Sequence, residues 1–167
     1  MQLDLTGSFK VQELEVKFKP HRKTSPFQLN SAEDVYRLVR PLIADEPREK
    51  LIGLYLNTQH HLVALETISK GTDSFSVVSP REVFKTAFLT NANALILVHN
   101  HPSGKVDPSN EDIQTSLRLK DAAKLLDIEL LDFIILSYTT YGSFAASQPE
   151  FVLELENQRK EVSHARR

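Results

Sequence analysis

The sequence has no cysteine among its 167 residues. This absence excludes a disulfide framework and any metal site built from thiolates. A bound metal ion would have to take its protein ligands from histidine, aspartate or glutamate. The absence of cysteine also agrees with a cytoplasmic location, because disulfides belong mainly to oxidising compartments.

Long apolar runs are missing as well. No stretch approaches the ~20 apolar residues that a helix needs to cross a bilayer. The first residues, MQLDLTGSFK, lack the basic start and apolar run of a secretory signal. We therefore expect a soluble protein that makes no contact with a membrane.

The chain also has little net charge. Its formal charge of -2 gives no general attraction to nucleic acid. Two short basic clusters, KFKPHRK at residues 17–23 and RKEVSHARR at residues 159–167, are interpreted as solvated ends. With 41% hydrophobic and 25% charged residues, the composition is that of a globular protein, and the length suits one domain of ~100 to 200 residues.

Apolar periodicity predicts strands and helices in alternation. An imperfect alternation in KVQELEVKFK, at residues 10–19, predicts an edge strand. The segments KLIGLYLN and HLVALETIS predict a hairpin, and ALILV and LLDFIILS predict two further strands. Helices are predicted from Ser31 to about Ala44, from Pro80, and from Ser109 to about Leu126, the last with Ile113, Leu117, Ala123 and Leu126 as its apolar positions.

This order of elements predicts an α/β fold, a single domain with a mixed central sheet flanked by helices. We divide the chain into an N-terminal edge strand and loop over residues 1–27, the domain over residues 28–147, and a charged tail over residues 148–167. The sequence shows no internal repeat.

One stretch, LVHNHPSGKVDPSNED at residues 97–112, combines features that suit a metal ion. His99 and His101 stand two apart at the end of a strand, so their side chains can point to the same side. Pro102 and Gly104 then turn the chain, and Asp112 lies in the first turn of the next helix, where the helix dipole favours its ionised form. Three protein ligands and one open position are typical of a catalytic zinc site.

Two other interpretations of the same residues stay open. Ser109 with Asp112 three residues later is also an ordinary capping box, which needs no metal. Two histidines and one carboxylate also form the iron site of non-haem oxygenases. We expect that iron site in an all-β barrel, whereas this chain alternates helices with strands.

The pattern His-x-His, ten residues and then Asp, with a serine three residues before the Asp, resembles the JAMM motif of JAB/MPN metalloprotease domains. The longer form HNHPSG, with SPREVFKTA upstream and LLDFIIL downstream, resembles the RadC-like branch of that fold. The resemblance covers residues 28–147. It implies a JAB/MPN-like domain that binds one Zn²⁺ ion per chain through His99, His101 and Asp112.

The resemblance also implies a glutamate that activates water and a serine that stabilises the developing oxyanion. Ser109 matches the serine. Glu49 stands directly before the KLIGLYLN strand, where the family has its glutamate, and is our candidate for the general base; Glu46 is its rival. Where the family tends to have LLDHIII, this chain has Phe133, which we interpret as a packing residue.

The sequence is compatible with three functions. The first is a zinc hydrolase that cleaves a peptide or isopeptide bond in a peptide or protein substrate. The second is a DNA-associated or nuclease-like protein of the RadC family. Only one glycine, Gly7, lies in residues 1–27, so the helix-hairpin-helix module of the family is not expected there, and DNA binding should be weak or absent. The third is a non-catalytic interaction module.

Overall fold

The computed structural model describes residues 27–71 and 78–148. These residues form, in chain order, α1 (Ala32–Ile43), β1 (Lys50–Leu56), β2 (Leu62–Lys70), α2 (Pro80–Thr90), β3 (Ala94–Asn100), α3 (Asn110–Leu125), β4 (Glu129–Leu136), β5 (Tyr141–Ser143) and α4 (Phe144–Ser147). The predicted edge strand at residues 10–19, both basic clusters and most of the charged tail lie outside the described residues. None of the described helices is long and apolar enough to span a membrane.

The strands form one sheet in the order β2-β1-β3-β4-β5. The β3–β4 pair is parallel and the other neighbouring pairs are antiparallel, so the sheet is mixed. The predicted hairpin is β1 with β2, and α3 connects the parallel pair, because parallel strands need a crossover. The predicted α/β domain with a mixed central sheet and flanking helices is confirmed.

Helices cover both faces of the sheet. On one face α1 buries Val35, Val39 and Ile43 against alternate residues of β1, β3 and β4. On the other face α2 and α3 pack against the residues in between, which include Leu51, Leu95 and Leu97. Every residue of β3 is buried, which is why this strand reads as a continuous apolar run up to its last two residues.

The buried face of α3 differs from the predicted one. We expected it to be marked by apolar residues, but of those only Ala123 is buried, and Leu126 is 38% exposed. The buried stripe is mostly polar and follows helical spacing, and its members are Asp112, Thr115, Ser116, Leu119, Lys120 and Ala123. Counting apolar residues failed here because the helix begins with a carboxylate that faces the interior.

A buried carboxylate joins β4 to the end of the domain. Asp132 accepts hydrogen bonds from the Ser143 hydroxyl at 2.6 Å, the Ala145 amide at 3.0 Å and the Phe133 amide at 2.8 Å. Burial raises the pKa of Asp132, although these hydrogen bonds act to lower it. The hydrogen bonds hold α4 against the sheet.

We expect the stability of the domain to depend on the charge of Asp132. Because its pKa is raised in the folded state, the wild type should lose stability relative to Asp132→Asn as the pH rises from below 3.8 through that raised pKa. Asp132→Ala should be worse at every pH, by about 1–3 kcal/mol for each donor left unsatisfied. Urea unfolding of the three proteins between acid and neutral pH measures both effects. A stability difference between wild type and Asp132→Asn that does not change with pH would contradict the first.

Candidate metal centre

The end of β3 carries the first candidate ligand. His99 pairs with Leu51 of β1 and Ile135 of β4, and its side chain is fully buried. Its ring lies 5.3 Å from the ring of Phe133, measured between centroids, and 4.7 Å from the ring of His101 in an edge-on arrangement. The alternation of the strand thus brings the two imidazoles together on the face that α2 and α3 cover.

The loop after β3 fixes the orientation of His101. Nδ1 of His101 lies 3.0 Å from the carbonyl oxygen of Lys105, which can only accept, so Nδ1 carries the hydrogen of this bond. Gly104 closes the turn by donating its amide to the His101 carbonyl at 2.9 Å, with a φ of +77° that favours glycine. The Nε2 atom of His101 is left on the side of the ring that faces Asp112.

The same loop also approaches β5 closely. A Cβ atom at Gly142 would lie 2.7 Å from the carbonyl oxygen of Val106, which is closer than a real Cβ contact allows. Gly142 belongs to β5. The glycine is therefore needed in the strand because it lets the loop lie flat against the sheet.

Asp112 is held by the N-terminus of α3. It forms a full capping box with Ser109: the Asp112 amide donates to the Ser109 hydroxyl at 3.1 Å, and the Ser109 amide donates to Asp112 Oδ2 at 2.8 Å. The Ser109 hydroxyl also donates to Oδ2, at 2.6 Å. The carboxylate is almost fully buried, and its direction is set by the cap.

The three side chains converge. His99 Nε2 lies 3.5 Å from Asp112 Oδ1, and His101 Nε2 lies 3.4 Å from Asp112 Oδ2. One ligand atom from each of the three residues can be chosen so that the three atoms lie within 4.8 Å of one another. Two tetrahedral zinc bonds of ~2.05 Å would separate their donor atoms by about 3.3 Å. Each histidine Nε2 atom lies near that distance from one of the two Asp112 oxygens.

The pKa shifts of at least two of these groups favour the protonation state in which the group can bind a metal ion. Burial lowers the pKa of His99 to about 3, which keeps its imidazole neutral at physiological pH. Burial alone would raise the pKa of Asp112, but His101, His99 and Ser109 outweigh it and lower the pKa to about 2. The hydrogen bond with Asp112 raises the pKa of His101, so protons and a metal ion would compete for this ring.

The donor set fits a divalent metal ion. It consists of a neutral imidazole, an ionised carboxylate and a second imidazole whose other nitrogen donates to a backbone carbonyl, an arrangement that metal-binding histidines commonly show. A His-His-Asp group that could bind a metal ion is therefore present, and its residues are those predicted as ligands from the sequence.

Glu49 lies next to these residues. It directly precedes β1, whose antiparallel register pairs Leu51 with His99. Continued by two residues, that register brings Glu49 beside His101, and the charge of Glu49 contributes to the raised pKa of His101. The Glu49 carbonyl accepts a hydrogen bond from the Gly71 amide at 2.9 Å. The structure thus brings our candidate base to the metal-binding group.

Glu46, the rival candidate, precedes Glu49 by three residues in the same segment. Its side chain is 23% exposed and forms ion pairs with Lys70 at 3.1 Å and with Lys50 at 3.8 Å. Two lysines at the start of β1 and the end of β2 face each other across the hairpin and attract the carboxylate. Glu46 is therefore engaged away from the histidines.

Phe133 is fully buried between His99 and Phe144, with ring centroids 5.3 Å and 4.9 Å away. It therefore contacts the candidate ligand through its ring. In this chain the position contributes packing around His99.

Asn100 is a residue whose role sequence reasoning missed. It is 1% exposed, and its side chain makes hydrogen bonds to the segment that contains Glu49. The sequence could have given only the direction of its side chain, because a residue between two strand-end histidines must point to the opposite face of the sheet.

Comparison with known proteins agrees with this geometry. A family model described as RadC-like JAB domain matches residues 29–149. A UPF0758 protein of Methanosarcina mazei is 38% identical over 149 residues, which cover 86% of this chain and 65% of the relative. A UPF0758 protein of Chlorobium phaeovibrioides is 40% identical over 143 residues, covering 85% and 62%, and one of Staphylococcus haemolyticus is 44% identical over 116 residues, covering 70% and 51%.

The chain thus spans less than two thirds of the length of these curated relatives, and their names state no activity. The matched residues contain the whole sheet and the converging histidines and aspartate. The chain belongs to the family of proteins with a RadC-like JAB domain.

Proposed function

We propose that this chain is a zinc-dependent hydrolase that cleaves a peptide or isopeptide bond. The observation that carries the proposal is the convergence of His99, His101 and Asp112, with His101 Nδ1 held by the Lys105 carbonyl. A set of three nitrogen and oxygen ligands leaves a coordination position open, which is typical of catalytic rather than structural zinc. Glu49 beside that set supplies a candidate base.

Each side chain has a separate role in this proposal. His99, His101 and Asp112 would hold one Zn²⁺ ion, which when bound lowers the pKa of a water to ~7 and polarises a carbonyl group. Glu49 would take the proton of the attacking water and return it to the leaving amine. Burial of His99 and Asp112 excludes bulk water from one side of the site.

Ser109 has a structural role that can coexist with a catalytic one. Its hydroxyl donates to Asp112 Oδ2 and accepts from the Asp112 amide. For the hydroxyl to stabilise a developing oxyanion, it must turn its hydrogen from Asp112 to the substrate. The Ser109 amide would still hold the carboxylate in that event, because it donates to Oδ2 independently.

The metal-binding role is tested by substituting the ligands. The wild type should contain about one zinc per chain, and His99→Ala and Asp112→Asn should lose most of it, because three protein ligands are the smallest set of a stable catalytic site. Zinc at ~100 times its dissociation constant should stabilise the wild type by about 2.7 kcal/mol and leave both variants unaffected. Metal analysis and thermal unfolding with and without a chelator measure these effects.

His61→Ala is the matched control, since His61 lies directly before β2, beyond the end of β1 that is far from the metal-binding group. It should bind zinc like the wild type. If His99→Ala and Asp112→Asn both retained wild-type zinc at the same free zinc concentration, the ligand assignment would be wrong. A wild type without zinc would favour the interaction module.

The base is tested with two glutamates from one segment. Glu49→Gln keeps the size of the side chain but cannot take a proton, so it should retain zinc and lose ~10²–10⁴-fold of the hydrolysis rate. Glu46→Gln should stay near the wild-type rate, because Glu46 pairs with Lys50 and Lys70. The rates require a substrate from a screen of peptides and isopeptides. Full activity of Glu49→Gln on a substrate that His99→Ala cannot cleave would contradict the assignment.

A nucleic-acid role is the alternative to test. Because the chain carries a formal charge of -2, it should bind duplex DNA weakly and without sequence preference, with a Kd of ~10⁻⁴ to 10⁻⁶ M near physiological salt. Fluorescence anisotropy with labelled duplexes over a range of salt concentrations measures this affinity. Nanomolar binding that depends on the DNA sequence would favour a DNA-associated function over a peptide substrate.

A further inference from the structure

Asn100 connects the end of β3 to the segment that leads into β1. Its Oδ1 accepts the Lys50 amide at 2.8 Å, and its Nδ2 donates to the Glu46 carbonyl and to the Arg48 carbonyl, each at 3.2 Å. A side-chain amide has two N–H groups to donate, and both have acceptors here. The three bonds join two segments that lie about fifty residues apart in the chain.

Two of these three bonds flank Glu49. The Arg48 carbonyl belongs to the peptide group before Glu49, and the Lys50 amide belongs to the peptide group after it. One buried side chain therefore holds the peptide groups on both sides of the Glu49 Cα atom. A third restraint comes from the Gly71 amide, which donates to the Glu49 carbonyl.

The position of Asn100 in the strand explains why it can do this. Its neighbours His99 and His101 carry the metal-binding rings on the face of the sheet covered by α2 and α3. Asn100 points to the other face, where α1 ends and the Glu46–Lys50 segment begins. The residue between the two histidines thus fixes the segment of Glu49 relative to the histidines themselves.

We infer that Asn100 is a positioning residue, which sets the place of the Glu49 carboxylate beside the metal-binding group through hydrogen bonds to the backbone on both sides of it. The inference rests on the proposed function, because Glu49 matters only if it acts as the base. Asn100 itself touches neither the metal ligands' donor atoms nor the substrate in this scheme. Its loss should therefore affect catalysis through Glu49.

The first test uses the wild type and needs no substrate. Amide hydrogen exchange by NMR should show slow exchange at Lys50, although it is the first residue of its strand. In Asn100→Leu, which has the same number of side-chain heavy atoms and the same branching but makes no hydrogen bonds, exchange at Lys50 and Gly71 should speed up. Fast exchange at Lys50 in the wild type would overturn the inference even if Asn100→Leu fails to fold.

Asn100→Asp separates the two halves of the interaction. It keeps an acceptor for the Lys50 amide and lacks the donors for the Glu46 and Arg48 carbonyls. The Lys50 amide should still exchange slowly in this variant, while the peptide group between Arg48 and Glu49 loses its hydrogen bond to residue 100. We therefore expect the Lys50 amide to lose its protection in Asn100→Leu and to keep it in Asn100→Asp. Equal protection in wild type and both variants would contradict the inference.

The second test asks whether Asn100 acts through Glu49. Full-chain Asn100→Leu should bind about one zinc, and it should lower kcat by ~10–100-fold with little change in KM, as loss of a supporting hydrogen bond at a metal site does. The double variant with Glu49→Gln should be no slower than Glu49→Gln alone, because both changes remove the same function. If the double variant were slower than Glu49→Gln by the full factor that Asn100→Leu alone loses, the inference would be overturned.

A spectroscopic readout separates failure of this inference from failure of the proposed function. In cobalt-substituted protein, Asn100→Leu and Glu49→Gln should change the visible absorption in the same direction, since both alter the surroundings of the same coordination position. Asn57→Ala is the matched control: Asn57 Oδ1 accepts the Gln59 and His61 amides at the far end of β1. It should leave the spectrum, zinc content and rate unchanged.

If no substrate is cleaved by the wild type, the proposed function fails, and the exchange and cobalt results still decide whether Asn100 holds the Glu49 segment in place. If hydrolysis is found and depends on Glu49 but not on Asn100, the function stands and the positioning role is refuted.

Discussion

The burial of β3 on both faces is the constraint on which the candidate metal centre depends. As the central strand, β3 pairs with β1 on one side and β4 on the other, and helices cover both of its faces. A shift in register by one residue would turn every side chain of such a strand to the opposite face of the sheet. The same register therefore fixes the apolar core and the directions in which His99 and Asn100 point.

This constraint buries polar side chains of the site, which costs stability. A histidine and an aspartate with 0% and 2% exposure lose most of their contact with water, and polar groups buried in this way must find partners. Asp112 accepts hydrogen bonds from two donors at the helix cap, the amide and the hydroxyl of Ser109. It also lies close to both imidazoles. Burial lowers the pKa of His99, although the charge of Asp112 acts to raise it. A bound cation would offset this cost by attracting the lone pairs that the fold has turned inward.

Much of the fold and of the metal-binding group could be predicted from the sequence, because the signals are local. Apolar runs with turn residues between them predicted β1 and β4 to within one residue at each end and the first five residues of β3. Strand alternation explains the convergence of His99 with His101. The polar inner face of α3 could not be predicted in this way. Its burial is decided by what the helix packs against, and periodic counting of apolar residues does not detect a stripe that begins with Asp112.

Long-range hydrogen bonds limited the prediction of the remaining residues. The environment of Glu46 depends on Lys70, which is 24 residues away, and that of the Glu49 segment depends on Asn100, about fifty residues away. No local pattern reports such pairs. They become visible only when the register of β1 against β3 is known, since that register brings the start of one strand beside the end of the other.

The helix cap and the proposed metal ligand are compatible uses of one carboxylate. An ionised carboxylate has two oxygens with about four lone-pair directions. The cap uses Oδ2, which accepts the amide and the hydroxyl of Ser109, and Oδ1 faces His99 at 3.5 Å. Capping therefore leaves acceptor capacity on Asp112 while it fixes the side-chain direction before any ion arrives. The capping box that offered a simpler explanation of Ser109 and Asp112 is therefore compatible with the proposed ligand role, because it would hold the carboxylate in the direction that this role needs.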